Sequence, residues 1–494
     1  MTLSPSAAAN ARITGLAADR AIHRAFHWLH LYEQQLQRWQ REFVAIPAPP
    51  FSEAARAAWF VKRFADLGLA NAHLDAEGNA LAELPSYNTV ILSEASRTGS
   101  PASLLAGAGS DAKSKDPDVA GVSTTADPFS TTTPKDNTPV ILLSAHLDTI
   151  FPEGTDCTPH EDEEGRLHCP GATDNGAGLA ALLAIAASLH FAQTEAGYSP
   201  PMTILFAANV GEEGEGDLRG MRHLFSDASP YEQRIRAAIA LEGSGSTSVV
   251  DRALGSRRLR VEITGPGGHS WADAGRPSPI NALAAAITEL TQLTLPSSPR
   301  TTLNCGTISG GTSVNAIPSS ATADLDLRST STKELDSLEH LVLSTLSKCV
   351  KAEARRGRTR DGHRQRDALR QRDALRITVR RIGNRVAGQL APDSALAVSL
   401  RAVDRHLNLK TESRIGSTDA NLPLSLNIPA LAIGAGGSGG GIHTLEEWFD
   451  PTNRELALRR ILLLLLDTCN MYSQQTSPNT KHVVESELQN TPSS

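Results

Sequence analysis

The chain has 494 residues, a formal net charge of -7, 40% hydrophobic residues and only 4% aromatic ones. At roughly 100–200 residues per domain, that length calls for two domains plus insertions. The acidic balance and the few aromatic side chains argue against a polyanion binder or a base-stacking platform, and five scattered cysteines (Cys157, Cys169, Cys305, Cys349, Cys469) without a C-x-x-C pair argue against a disulfide framework.

Met1 to Gly15 lack a basic start followed by an apolar run, so no secretory signal is expected. The apolar run Ile461 to Leu466 is too short to span a bilayer. A soluble cytoplasmic protein, with no membrane and no nucleic-acid partner, is the expectation. Residues 17–46 read as one helix, because Leu29, Tyr32, Leu36, Trp39 and Phe43 recur at steps of three and four. Pro47, Pro49 and Pro50 end that pattern. A second helix runs from Glu53 to Leu69, and residues 73–84 alternate like a strand with a turn at Glu77-Gly78-Asn79.

Residues 94–138 are dominated by Ser, Thr, Asp, Ala, Gly and Pro. They cannot bury enough apolar surface to offset their ordering entropy, so they read as a surface insertion. Val140 to Leu143 is a short apolar run, consistent with a strand buried on both faces. Ala177 to Leu189 reads as a helix, and Met202 to Ala207 and Ala237 to Leu241 as further buried strands. Apolar strands separated by helices indicate an α/β layer fold with a mixed or mostly parallel sheet.

From Arg257 the pattern changes. RLRVEITG alternates, Ile280 to Leu293 is helical, residues 301–311 and 321–329 are strand-like, Leu335 to Lys348 is helical, and residues 377–382 form a last strand. This order predicts helices sandwiched on a small antiparallel sheet. The Arg-rich stretch 354–376, with its repeat RQRDALRQRDALR, reads as a solvated insertion; Asp interrupts the basic run and counts against nucleic-acid binding. After residue 384 the first pattern resumes, with helices at 397–407 and from Glu455 to Met471 around the buried strand PALAIGAG. The expected architecture is a two-domain mixed α/β protein. Residues 1–251 and 384–494 form the larger domain, and 252–383 form an inserted α+β sandwich.

Metal-ligand residue types stand just past several strands. VILLSAHLDT supplies His146 and Asp148, PGATDNGAG supplies Asp174, ILFAANVGEEGEG supplies Glu212 and Glu213, AAIALEGSG supplies Glu242, and GGGIHTLEEW supplies His443. Each has a plainer reading. A lone His is ordinarily just hydrogen-bonded, Asp174 could be a helix N-cap, and the Glu pair could be a solvated turn. Together they converge if the strands share one sheet, whose carboxyl ends form the usual ligand crevice. Imidazole and carboxylate both suit zinc, and a bridging carboxylate can screen two cations. A nearby carboxylate free of metal can then accept a proton from water.

These motifs resemble the zinc-dependent exopeptidases and amidohydrolases that include glutamate carboxypeptidase, peptidase T, aminoacylase and succinyl-diaminopimelate desuccinylase. The resemblance covers roughly residues 35–95 and 138–470. It implies two zinc ions, with cobalt or manganese left open. His146 and Glu242 would ligate one metal, Glu213 and His443 the other, and Asp174 would bridge them. Asp148 would orient His146, and Glu212 would be the general base. The inserted sandwich is similar to the family's lid and dimerisation domain, which implies a homodimer. His269 in GPGGHSW would polarise the scissile carbonyl, in its own site or across the dimer. Asn315 in SGGTSVNAIP and Arg328 in DLDLRS match substrate-contacting positions, and Ala435 to Gly441 would offer backbone N–H groups.

The implied reaction is hydrolysis of an amide bond by a water activated by two metal ions. GEEGEGDLRG followed by ALEG looks most like the peptidase T-like branch, which favours small peptides. The alternatives are an N-acyl amino acid deacylase and a non-catalytic binding protein of the same fold; the intact Glu212 and ligand set speak against the latter. Two features depart from the family. Cys169 stands where the common GxGxxDN form has its first glycine, and the insertions at 94–138 and 354–376 are not family features.

Overall fold

The computed structural model describes residues 5–86, 137–360 and 375–476. The expected insertion at 94–138 lies outside the described residues up to position 136, as do residues 361–374 of the Arg-rich stretch. Where the periodicity predicts one helix over 17–46, the structure has three: Pro5–Ala18, Arg20–Leu31 and Glu33–Val44. Asp19 makes the first break. Its backbone is extended, and its carboxylate accepts the N–H groups of Ala21 and Ile22 at 2.7 and 3.3 Å, which caps a new helix. Tyr32 leaves helical geometry and makes the second.

The larger core surrounds a nine-stranded mixed sheet. Its centre is parallel: Thr203–Asn209, Val140–His146, Ile235–Leu241 and Ala430–Ile433 lie side by side in that order. The hairpin Ala70–Leu74 and Ala80–Leu84 closes one edge antiparallel. On the other side Ser248–Ala253 carries Gly388–Gln389 and Glu412–Gly416. Every residue of Val140–His146 and Thr203–Asn209 is buried, as expected of strands covered on both faces. Gly176–Ala196 is long and apolar enough to cross a membrane by length and composition. Here it packs on three central strands and under the helices Arg20–Leu31 and Glu33–Val44, and every residue from Gly176 to Leu189 is buried. That burial accounts for its lack of a polar face.

The chain enters a second sheet at Gly255 and leaves it at Arg385. The sheet is antiparallel, in the order Thr301–Gly310, Ser320–Ser329, Gly255–Thr264, Arg376–Arg385. Burial alternates along its inner strands, placing Leu259, Val261, Ile263, Ala323, Leu325 and Leu327 beneath the helices Pro279–Thr291 and Thr332–Arg360. These residues form a core of their own. The mixed α/β fold with a smaller α+β unit is therefore borne out.

Candidate metal centre

Parallel strands put their carboxyl ends on one edge of a sheet. His146 is the last residue of its strand, in register with Asn209, the last of the neighbouring one. Glu212 and Glu213 follow Asn209 by three and four positions, and Glu242 follows Leu241 directly. Asp174 precedes the helix Gly176–Ala196. It is not that helix's cap, because Asn175 accepts the Gly178 N–H. Asn175 Nδ2 also donates to Leu241 O at 2.9 Å, which ties the Asp174 turn to the Glu242 strand. Gly178 has no room for a side chain, since a Cβ would lie 2.2 Å from Asn175 Oδ1.

A four-stranded sheet of very short strands positions His443, the last candidate ligand. It joins Ser438–Gly440, Trp448–Asp450, Leu167–His168 and His160–Glu161, and His443 lies between the first two, held at a φ of 67°. A side chain other than glycine keeps such a backbone only when its surroundings enforce it.

The Asp174 carboxylate sits between two imidazoles. Its Oδ1 lies 3.1 Å from His146 Nε2 and its Oδ2 lies 3.1 Å from His443 Nε2. Glu242 Oε1 flanks the first imidazole at 3.7 Å, and Glu213 Oε1 flanks the second at 3.1 Å. Ligand atoms of His146, Asp174 and Glu242 fall within 4.8 Å of one another, as do those of Asp174, Glu213 and His443. The donor set fits divalent cations: three carboxylates and two imidazoles converge. Glu242 Oε2 adds a buried oxygen with no hydrogen-bond partner among the described residues. Such an oxygen is open to a cation.

Asp148 lies against the Nδ1 side of His146. His146 Nδ1 donates to the main-chain oxygen of Asp148 at 3.0 Å, while the Asp148 carboxylate stands 3.6 Å away. That main-chain contact puts the proton on Nδ1 and leaves Nε2 for a metal. The Asp148 carboxylate instead accepts the N–H groups of Glu212 and Glu213 at 2.9 and 2.7 Å, holding the Glu pair against the His146 strand.

The electrostatics follow from burial and crowding. Burial opposes charge on His146, but the carboxylates of Asp148, Asp174 and Glu242 outweigh it and hold the imidazole well above its ordinary value. His443 is raised to about 9, first by its hydrogen bond to Asp174 and further by Glu213. Burial pushes the Glu212 carboxyl well up; Arg385 pulls it back, and the charges of Glu213 and Glu242 push it further. A carboxyl raised toward neutrality is suited to exchanging protons with water.

Three supporting residues have no counterpart in the sequence reading. Glu447 is buried and accepts three N–H groups, from Gly171, Thr173 and Asp174, at 2.7, 2.8 and 2.7 Å, which clamps the segment carrying Asp174. Burial lifts its carboxyl to about 7 against those bonds. Its position four residues after His443, within the same motif, was the available signal. Asp419 is buried, accepts from Asn209 Nδ2 at 2.8 Å, and is raised to about 7 by burial. Arg385 pairs with Glu212 Oε1 at 2.6 Å across 173 positions of sequence, and no local pattern announces it.

The three substrate-contact candidates are not gathered into this cluster. His269 Nδ1 accepts the N–H of Trp271, and the His269 N–H goes to Asp273 Oδ2. Asn315 accepts from Ser313, and Arg328 Nε donates to Asp326 at 2.7 Å. Each side chain therefore bonds within its own segment of the smaller unit, while the short strands Gly268–His269 and Ala316–Ile317 pair and the Asn315 main-chain oxygen accepts the Ser270 N–H at 2.9 Å. Beside them Trp271 and Val314 are 87% and 103% exposed, so this edge faces away from the protomer's own core. The loop Ala435–Gly441 does reach the centre: it contains the strand Ser438–Gly440, which pairs with Trp448–Asp450 and leads to His443.

A family model described as peptidase family M20/M25/M40 matches residues 142–467. A probable carboxypeptidase of Aspergillus flavus is 31% identical over 214 residues, covering 40% of this chain and 47% of that protein. The chain thus spans about half the length of the curated relatives it matches. In fold, the chain is similar to a tripeptidase of Staphylococcus aureus, with a TM-score of 0.62 at 19% identity over 89% of this chain and 99% of that one. It is also similar to a Bacillus subtilis protein described as a dinuclear metal binding peptidase, with a TM-score of 0.55 at 13% identity over 89% and 99%.

Proposed function

The chain belongs to peptidase family M20/M25/M40, and from that premise we propose that it is a two-metal exopeptidase acting on small peptides. The observation that carries this reading is the Asp174 carboxylate, each of whose oxygens faces a different imidazole. His146, Asp174 and Glu242 would hold one cation, and Asp174, Glu213 and His443 the other. Zinc suits this nitrogen and oxygen set. Two cations, when bound, supply Lewis-acid activation of water and of the substrate carbonyl.

The chain's own residues supply the rest. Glu212 takes a proton from the attacking water and delivers it to the leaving nitrogen, so its carboxyl ends the cycle as it began. Asp148 holds Glu212 and Glu213 through their backbone N–H groups and fixes the His146 tautomer through its main-chain oxygen. His269 stabilises the developing oxyanion from the partner subunit of a homodimer formed through the inserted lid; the exposed Trp271 and Val314 beside it support that docking edge. Arg328, which keeps two guanidinium nitrogens free of Asp326, offers a grip for a substrate carboxylate. Five free thiols support a reducing, cytoplasmic setting.

The test is a panel of tripeptides, dipeptides and N-acyl amino acids, read by released amine before and after chelation and metal readdition. Turnover of peptides that chelation abolishes and metal restores is the expected result. Turnover of N-acyl amino acids alone would replace exopeptidase with deacylase, and chelator-insensitive turnover would refute the metal mechanism.

A further inference from the structure

Glu212 lies on the segment 211–217, which contains the 3-10 turn Gly214–Gly216, and that segment is held from the smaller sheet. Arg258 Nη1 donates to Gly214 O at 2.6 Å, and Arg260 Nη2 reaches Glu215 Oε1 at 3.4 Å. Both arginines belong to Gly255–Thr264. From Arg376–Arg385, the Asn384 N–H is shared between the two carboxylate oxygens of Asp217 at 3.0 and 3.1 Å. Arg222 closes the seam, donating to Asp217 and to Asn384 O.

Arg385 ends that strand, at the point where the chain leaves the smaller sheet. Its Nη1 donates to Glu212 Oε1 at 2.6 Å, and its Nη2 donates to the Glu212 main-chain oxygen. Nη1 also lies 3.3 and 3.2 Å from the main-chain oxygen and hydroxyl of Ser417. The two side chains are 4% and 5% exposed. A buried ion pair is weak evidence for added stability, because desolvation offsets the attraction. A rigid guanidinium that bonds both the carboxylate and the backbone of one residue does something else: it sets that residue's direction. Oε1 is committed to Arg385, which leaves Oε2 for proton exchange.

We infer that Arg385 is a positioning residue for Glu212, and that it ties the orientation of the base to the strand by which the smaller sheet joins the larger domain. This rests on the reading of Glu212 as the base. A residue that merely neutralised Glu212 could be replaced by any cation, whereas a residue that aims it could not.

The test compares Arg385→Lys, which keeps the charge and loses the two-pronged grip, with Arg385→Met. Steady-state kinetics, metal content per chain and the dissociation constant of a competitive product are measured for both, with Glu212→Gln alongside. Because misplacing a catalytic group by an ångström can cost on the order of a hundredfold, Arg385→Lys is expected to lose about tenfold or more in kcat with KM, product affinity and metal content close to wild type. Arg385→Met should lose more; if it does not fold, the lysine variant decides alone. A wild-type kcat in Arg385→Lys, or a loss explained by metal content, overturns the inference. If Glu212→Gln is inactive while Arg385→Lys is fully active, only this inference fails; if Glu212→Gln itself turns over, the reading of the base fails and takes the inference with it.

Discussion

The carboxyl edge of the large sheet and the His269 edge of the small one meet opposite fates in a single chain. The first gathers His146, Asp174, Glu212, Glu213, Glu242 and His443, drawn from across 297 positions, into contact. The second leaves His269, Asn315 and Arg328 bonded to their own neighbours, beside large side chains open to solvent. The lesson is that one protomer brings the candidate metal ligands together by itself, while the groups proposed to hold substrate need either a movement of the smaller unit or a second copy of the chain.

The sharpest break between the two regions is Glu212→Gln. It should retain its metal and lose about 10²–10⁴-fold in kcat, the range for removing a general acid–base group. Substantial residual turnover with full metal content would remove Glu212 from its role. His269→Ala should lose about 10²–10³-fold, as for a lost oxyanion donor, with no change in metal content or melting temperature. Mixing the two inactive variants then separates cis from trans. If His269 acts across a dimer, randomly exchanged subunits regain about a quarter of wild-type sites, since half the dimers are mixed and each carries one intact site. No recovery would place His269 in its own subunit's site or outside the reaction.

Arg328→Ala should raise KM for a peptide with a free carboxylate by about tenfold, consistent with losing one hydrogen bond to a charged group, and leave kcat nearly unchanged. An equal effect on a carboxyl-amidated peptide would contradict the proposed grip. The smallest effect concerns the cradle without its metal. His443 titrates at about 9 in the folded chain, above its ordinary 6.5. Its ion pairs are fully present below 6.5 and are lost as pH rises through 9. The melting temperature of metal-free protein should therefore fall across that window, modestly, because His443 is half exposed. Metal-loaded protein should not follow, since cations replace the protons. A metal-free melting temperature that stays flat or rises would contradict this.

Legibility in the sequence tracked distance along the chain. Val140–Leu143 announced a buried strand by its run of apolar residues, and the ligand types stood just past such runs, so a parallel sheet was enough to make them converge. The three N-terminal helices read as one because their apolar spacing carries across Asp19 and Tyr32, where a local cap rather than periodicity decides. The strands of two or three residues around His160, Leu167, Ser438 and Trp448 are too short for any period to show. Arg385 stayed hidden for a different reason: its partner lies 173 positions away, on the far side of the inserted unit, and a lone arginine at a strand end is unremarkable until the fold places Glu212 beside it.

The central claim is that Asp174 joins two cation sites. Metal content after dialysis against trace divalent metal tests it most directly, in wild type and in Asp174→Ala. Two ions per chain in the wild type, with at least one lost in the variant, is the predicted result. A wild type that holds none or one, or a variant that still holds two, would contradict it.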